Sequence, residues 1–206
     1  MLFLGKFLAI LSGVLYAAGY LDYIRKVLNG RIHPNGATWS IWSAIALMNA
    51  ATYLASSGDF WKTIIPLTNI GLVLFLLVLC LCHKKFQRLG WTDWLALCLG
   101  LGAIAVWKLS AAAYANFTVQ LAIAIGFIPT WASVRRNPHA EQPRPWWLWA
   151  ASYAVMLAVV LLRWNGQWSD LVCPINCTIL HASVAIQALM LRRAKKISPY
   201  PEILPK

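Results

Sequence analysis

TIIPLTNIGLVLFLLVLCLC, residues 63–82, runs for twenty positions without a charged side chain. As a helix rising 1.5 Å per residue, such a stretch covers the ~30 Å hydrocarbon core of a bilayer. Outward from it, comparable apolar blocks fall at 2–28, 38–56, 93–107, 114–134, 146–162 and 171–191. The blocks are long, unlike the alternating segments of about ten residues found in outer-membrane barrels. With 60% hydrophobic and 12% charged residues, a chain of 206 residues has too little polar surface to coat a soluble globule. The expectation is an all-α membrane protein with seven transmembrane helices.

Net charge is +12, and its placement argues against nucleic acid as the partner. If the amino terminus lies outside, the inner loops hold Arg25, Lys26, Arg31, Lys84, Lys85, Arg88, Arg135, Arg136 and Arg144. The tail adds Arg192, Arg193, Lys195, Lys196 and Lys206, leaving Lys6, Lys62, Lys108 and Arg163 outside. That alternation is the positive-inside rule acting on each short loop, and it predicts an outside amino terminus and an inside carboxyl terminus. Anionic lipid headgroups satisfy the basic loops. The twelve Trp lie near predicted helix ends, as in an interfacial aromatic belt. Five Cys in or at the ends of spans argue against a disulfide framework.

An internal repeat organises the spans. Shifting the chain by 107 residues brings Trp39 onto Trp146, Trp42 onto Trp149 and Trp61 onto Trp168. The same shift pairs Gly19 with Gly126, Ala17 with Ala124, Val27 with Val134, Ala44 with Ala151, Ala51 with Ala158 and Leu54 with Leu161. Spans one to three thus repeat as five to seven, with the fourth left over. Because three is odd, the lone fourth span restores the same orientation to both triplets. The expected organisation is a first triple-helix repeat (1–82), a linker helix with its flanking loops (83–113), a second repeat (114–192) and a basic, Pro-containing tail (193–206). Parallel repeats related by an axis along the membrane normal place a cavity between them.

Phe127-Ile128-Pro129-Thr130-Trp131, followed by Arg135, Arg136, Asn137 and Pro138, resembles the signature of the PQ-loop superfamily. That superfamily includes the SWEET sugar transporters, their half-sized bacterial relatives and the Pnu-type vitamin transporters. The first-triplet counterpart is Tyr20-Leu21-Asp22-Tyr23, with Lys26, Gly30, Pro34, Asn35 and Trp39 downstream; Gln is absent from both copies, and the first lacks the Pro. The resemblance covers the chain to about Arg193. It implies a 3+1+3 fold and transport by alternating access, with an Asn on the third helix of each triplet at the solute. Asn69 and Asn176 match those positions. Counting back from them, the comparable places on spans two and six fall near Tyr53 and Val160.

Other polar residues within spans add to this picture. Pro66 and Pro174 each remove a backbone donor and are expected to kink spans three and seven, close to Asn69 and Asn176. An amide at that depth faces either a wet cavity or a hydrogen-bonding neighbour helix. Asn49, Asn116 and Gln120 join the candidate solute contacts, the last two sharing a helix face. Asp22 and Tyr23, opposite Pro129 and Thr130, are the candidate cytoplasmic gate. Cys173, Cys177 and His181 stack along one face of span seven and have the chemistry for copper or zinc, but each step of four rises about 6 Å, so all three meet one ion only with donors from elsewhere, and metal binding is the minor reading. The six acidic residues, Asp22, Asp59, Asp93, Glu141, Asp170 and Glu202, all avoid the middle of a span, and no general-base pair or phosphate loop is present. The sequence therefore predicts a small-solute transporter, facilitative and without cofactor, rather than an enzyme. The rival is a non-transporting receptor or scaffold of the same fold. Compact loops point to a bacterial inner membrane, and a homo-oligomer remains open.

Overall fold

The computed structural model describes residues 2–30, 36–82 and 89–197. Arg31, Pro34, Asn35, Lys84, Lys85, Arg88 and the tail from 198 onward, Lys206 included, lie outside the described residues. Among the described residues the structure is helical: α1 (Leu2–Leu28), α2 (Gly36–Ser57), α3 (Ile64–Cys82), α4 (Trp91–Leu109), α5 (Ala112–Gly126), α6 (Ile128–Arg136), α7 (Pro143–Leu162) and α8 (Ser169–Ile197). Six helical stretches are long and apolar enough to cross a membrane, which makes this a multi-pass integral membrane protein. α5 and α6 together form one of the six. α2 has the length, at 22 residues, but not the apolarity.

Local chemistry sets the breaks. Gly58, at φ +63, ends α2 and turns the chain where a side chain would be strained. The Asp59 carboxylate then accepts the Trp61 N–H at 2.9 Å, starting a short 3-10 turn, Phe60–Thr63. This turn delivers α3 directly, and Pro66 sits third in α3. In the first turn of α3 a missing N–H removes no bond within α3 itself. Pro129 acts differently: the fifth span breaks at Phe127, with Pro129 in the first turn of α6.

Pro174 lies inside α8 and leaves the Asp170 carbonyl without its i+4 donor. The Tyr53 hydroxyl from α2 supplies the replacement at 2.7 Å. In an apolar surrounding, a freed backbone oxygen is tolerated only when a neighbour re-satisfies it.

Helix packing follows a reciprocal pattern. α3 packs on both α1 and α2, and α8 packs on α5, α6 and α7. Across the molecule α1 faces α7, and α2 faces α5; α4 lies against α5 and α2. Glycines permit the cross-contacts. A Cβ built on Gly19 of α1 would sit 2.6 Å from Trp149 Nε1 of α7, and one on Gly126 of α5 would sit 3.2 Å from Trp42 Cζ2 of α2. Both pairs obey the 107-residue shift.

Gly19→Ala should therefore overpack the α1–α7 contact and destabilise the fold by about 1–3 kcal/mol. Gly126→Ala should cost less, since the Trp42 ring has farther to come before it clashes. Melting temperatures in detergent test this; an unchanged Gly19→Ala protein would show that the contact yields freely.

Candidate functional site

A cavity of about 250 Å³ lies between the helices. Its walls are aromatic: Tyr16, Tyr20 and Tyr23 from α1, Trp39 and Trp42 from α2, Phe127 at the α5–α6 break, and Trp146, Trp149 and Tyr153 from α7. The rings interlock. Tyr20 and Trp149 have centroids 5.0 Å apart, and Trp146 stands perpendicular to Trp149 at 5.1 Å. All four Trp of the repeat signature line the cavity, so they do more than anchor helix ends at the membrane surface. Their recurrence at one offset was the sequence signal for this shared role.

Asn69 of α3 and Asn49 of α2 also line the cavity, but they are used differently. Asn69 Oδ1 accepts the Tyr20 hydroxyl at 2.7 Å. Asn49 belongs to a buried amide cluster in which its Oδ1 accepts from Asn116 Nδ2 at 3.2 Å and Gln120 Nε2 at 2.7 Å. Asn116 also donates to Thr52 Oγ1 at 3.0 Å. Asn176 donates to the Gln120 backbone and side-chain oxygens, both at 3.1 Å. Asn69 thus binds α1, and Asn176 binds α5. Asn116, Gln120, Asn176 and Tyr53 are not among the lining residues: their polar groups tie α2, α5 and α8 together.

His181 of α8 lines the cavity with Cys177. Its Nδ1 lies 2.6 Å from the Cys177 carbonyl, and its ring stacks on Tyr153 at 5.4 Å. The Cys173 sulfur lies 3.7 Å from Asn49 Nδ2, and among the described residues no three His, Cys, Asp or Glu side chains come together as a metal site.

At the end bearing the carboxyl-terminal turn of α1, the cavity reaches Tyr23, Pro129, Thr130, the exposed Arg136 and Glu141. Asp22 pairs with Lys26 at 2.6 Å and lies 4.0 Å from Arg144. Glu141 Oε2 accepts the Trp146 indole N–H at 3.1 Å. Arg192 of α8 fixes the loop that carries Glu141, donating to the carbonyls of Pro138 at 2.9 Å and Glu141 at 2.7 Å. Burial pushes the Glu141 carboxyl up to about 7, against the opposing pull of hydrogen bonds from Trp146 and Tyr23.

The opposite end is closed by charge. Lys62 Nζ meets Asp170 Oδ2 at 2.6 Å with both side chains fully buried, and also donates to Asn165 Oδ1 at 3.1 Å. Ser57 adds a bond to Asp170 Oδ2 at 3.2 Å, and Arg163 pairs with Asp59 at 2.7 Å. Sequence reasoning treated these as separate loop charges. The available signal was their balance, two cations and two anions on short connections at the same end. No family model, curated protein or solved structure matches the chain.

Two outcomes follow from these charges. Lys62→Met should cost about 3–5 kcal/mol by leaving Asp170 buried without a counter-charge, whereas Lys62→Met with Asp170→Leu should recover most of it; equal losses in thermal melts of the two proteins would contradict the pairing. A raised carboxyl pKa stabilises the fold at low pH, and that contribution disappears as pH climbs from 4.5 to about 7. Melting temperature should thus decline across that window, and Glu141→Gln should flatten the decline.

Proposed function

We propose that the protein is a seven-span membrane transporter of a small polar solute, such as a sugar, a vitamin or a similar metabolite, working by alternating access. The observation that carries this reading is the aromatic, amide-bearing cavity among the helices, which reaches exposed Arg136 at one end, while the buried Lys62–Asp170 pair stands outside its lining at the opposite end of the helices. The spans are read as 3+1+3: α1, α2 and α3 form one triplet, α5 with α6, α7 and α8 form the other, and α4 is the linker. Reciprocal packing of α1 on α7 and α2 on α5 supports that grouping. The basic loops orient the amino terminus outside and the carboxyl terminus inside, in a bacterial inner membrane.

In this reading the cavity faces the cytoplasm. The solute stacks on Trp and Tyr faces and exchanges hydrogen bonds with the few polar groups between them. Access from outside requires the Lys62–Asp170 and Arg163–Asp59 pairs to separate while the aromatic walls close over the inner mouth. Gly19 and Gly126 are the points about which the halves rock, and Pro129 lets the fifth span bend. No carboxylate lines the middle of the cavity, which favours facilitated diffusion.

Uptake into proteoliposomes, measured with a panel of radiolabelled sugars, nucleosides, amino acids and vitamins, tests the reading. At least one solute should enter, and Trp42→Ala and Trp149→Ala should each slow it about tenfold, equivalent to ~1.4 kcal/mol. Absence of flux across the panel would leave a receptor or scaffold as the better description.

A further inference from the structure

The polar groups that line the cavity differ in what hydrogen-bonding capacity they retain. Asn49 has little: its carbonyl oxygen accepts twice within the amide cluster, and its Nδ2 faces the Cys173 sulfur. Asn69 is half-committed. Its Oδ1 takes the Tyr20 hydroxyl, while no described residue engages its Nδ2. His181 is oriented by its backbone bond. A carbonyl only accepts, so Nδ1 carries the proton in the bond to Cys177, and Nε2 of that tautomer is a bare acceptor. The rings around it, Phe127, Trp146, Trp149 and Tyr153, are uncharged.

We infer that Asn69 and His181 are the recognition pair of this site, Asn69 Nδ2 donating to the solute and His181 Nε2 accepting from it. The pair takes one residue from α3 and one from α8, the helix packed between two others in each half. Asn176 is left out, because both its contacts go to Gln120. Arg136 and Glu141 stand at the mouth and no other Arg, Lys, Asp or Glu is among the described lining residues, so the deep site selects an uncharged solute that presents a donor and an acceptor beside an apolar face. This assignment rests on the transport reading and adds the polar code to it.

The experiment is proteoliposome uptake of D-glucose and uridine as neutral probes, with choline and glutamate as charged ones. His181→Phe retains the ring and removes the acceptor, His181→Gln returns an acceptor, and Asn69→Leu removes the donor; melting curves confirm that each variant is folded. The expected result is flux of a neutral probe that falls at least about tenfold in His181→Phe and in Asn69→Leu, with a substantial part restored in His181→Gln. Undiminished flux in His181→Phe, equal loss in the Phe and Gln variants, or movement of only choline or glutamate overturns the recognition pair and leaves transport standing. No movement of any of the four overturns both.

Discussion

Trp149 against Gly19 and Trp42 against Gly126 fix how closely α1 approaches α7 and α2 approaches α5. At Gly19 the indole leaves no room for even a methyl group and at Gly126 a methyl group would be tight, so these two contacts set the separation of α1 from α7 and of α5 from α2. The cavity is the space left beside those rings, closed further by α3, α6 and α8. Because Trp42 and Trp149 both hold these helix pairs together and form its walls, packing and site geometry are one variable here.

The second organising pressure is that polar groups away from water need partners, and the partners are mostly far apart in sequence. Pro174 frees a carbonyl in α8 and Tyr53 of α2 meets it, 117 positions away. Asn49, Asn116, Gln120 and Asn176 form a chain of amides from α2 through α5 to α8. Together with Lys62 and Asp170, they concentrate hydrogen bonding at one end and mid-depth. The opposite end combines aromatic rings with the Asp22–Lys26 pair and the bonds of Arg192 to the loop that carries Glu141. Buried polar closure at one end and an aromatic mouth at the other make the two ends of the helix bundle chemically unlike.

Much of the fold was legible because a bilayer restricts the options: a long apolar run has only the helix available. The Trp-x-x-Trp repeat also pointed to the four cavity Trp, since indoles recurring at one offset imply a common environment. Residue roles within the helices were less legible. Pro66 and Pro174 look alike in sequence, yet one opens its helix and the other interrupts it, a difference of a few positions in where the helix begins. Tyr53 and Asn176 had the right chemistry for solute contact, but whether a polar side chain faces a cavity or a neighbouring helix depends on rotation about the helix axis, which an apolar span does not encode strongly. The Lys62–Asp170 pair was hidden because its members lie 108 residues apart on loops that read as solvated.

The modest apolarity of α2 reaches back into how the protein is made. Thr52 and Asn49 find their amide partners 64 to 71 residues later in the chain, and Ser57 and Tyr53 find theirs 113 and 117 residues later. A newly synthesised α2 therefore emerges with its polar face unmet, and lipid alone cannot shelter it. Its residence in the bilayer becomes stable only once α5 and α8 arrive, so biogenesis is cooperative across the whole chain. A lesion in the last helix would then surface as mis-insertion of the second.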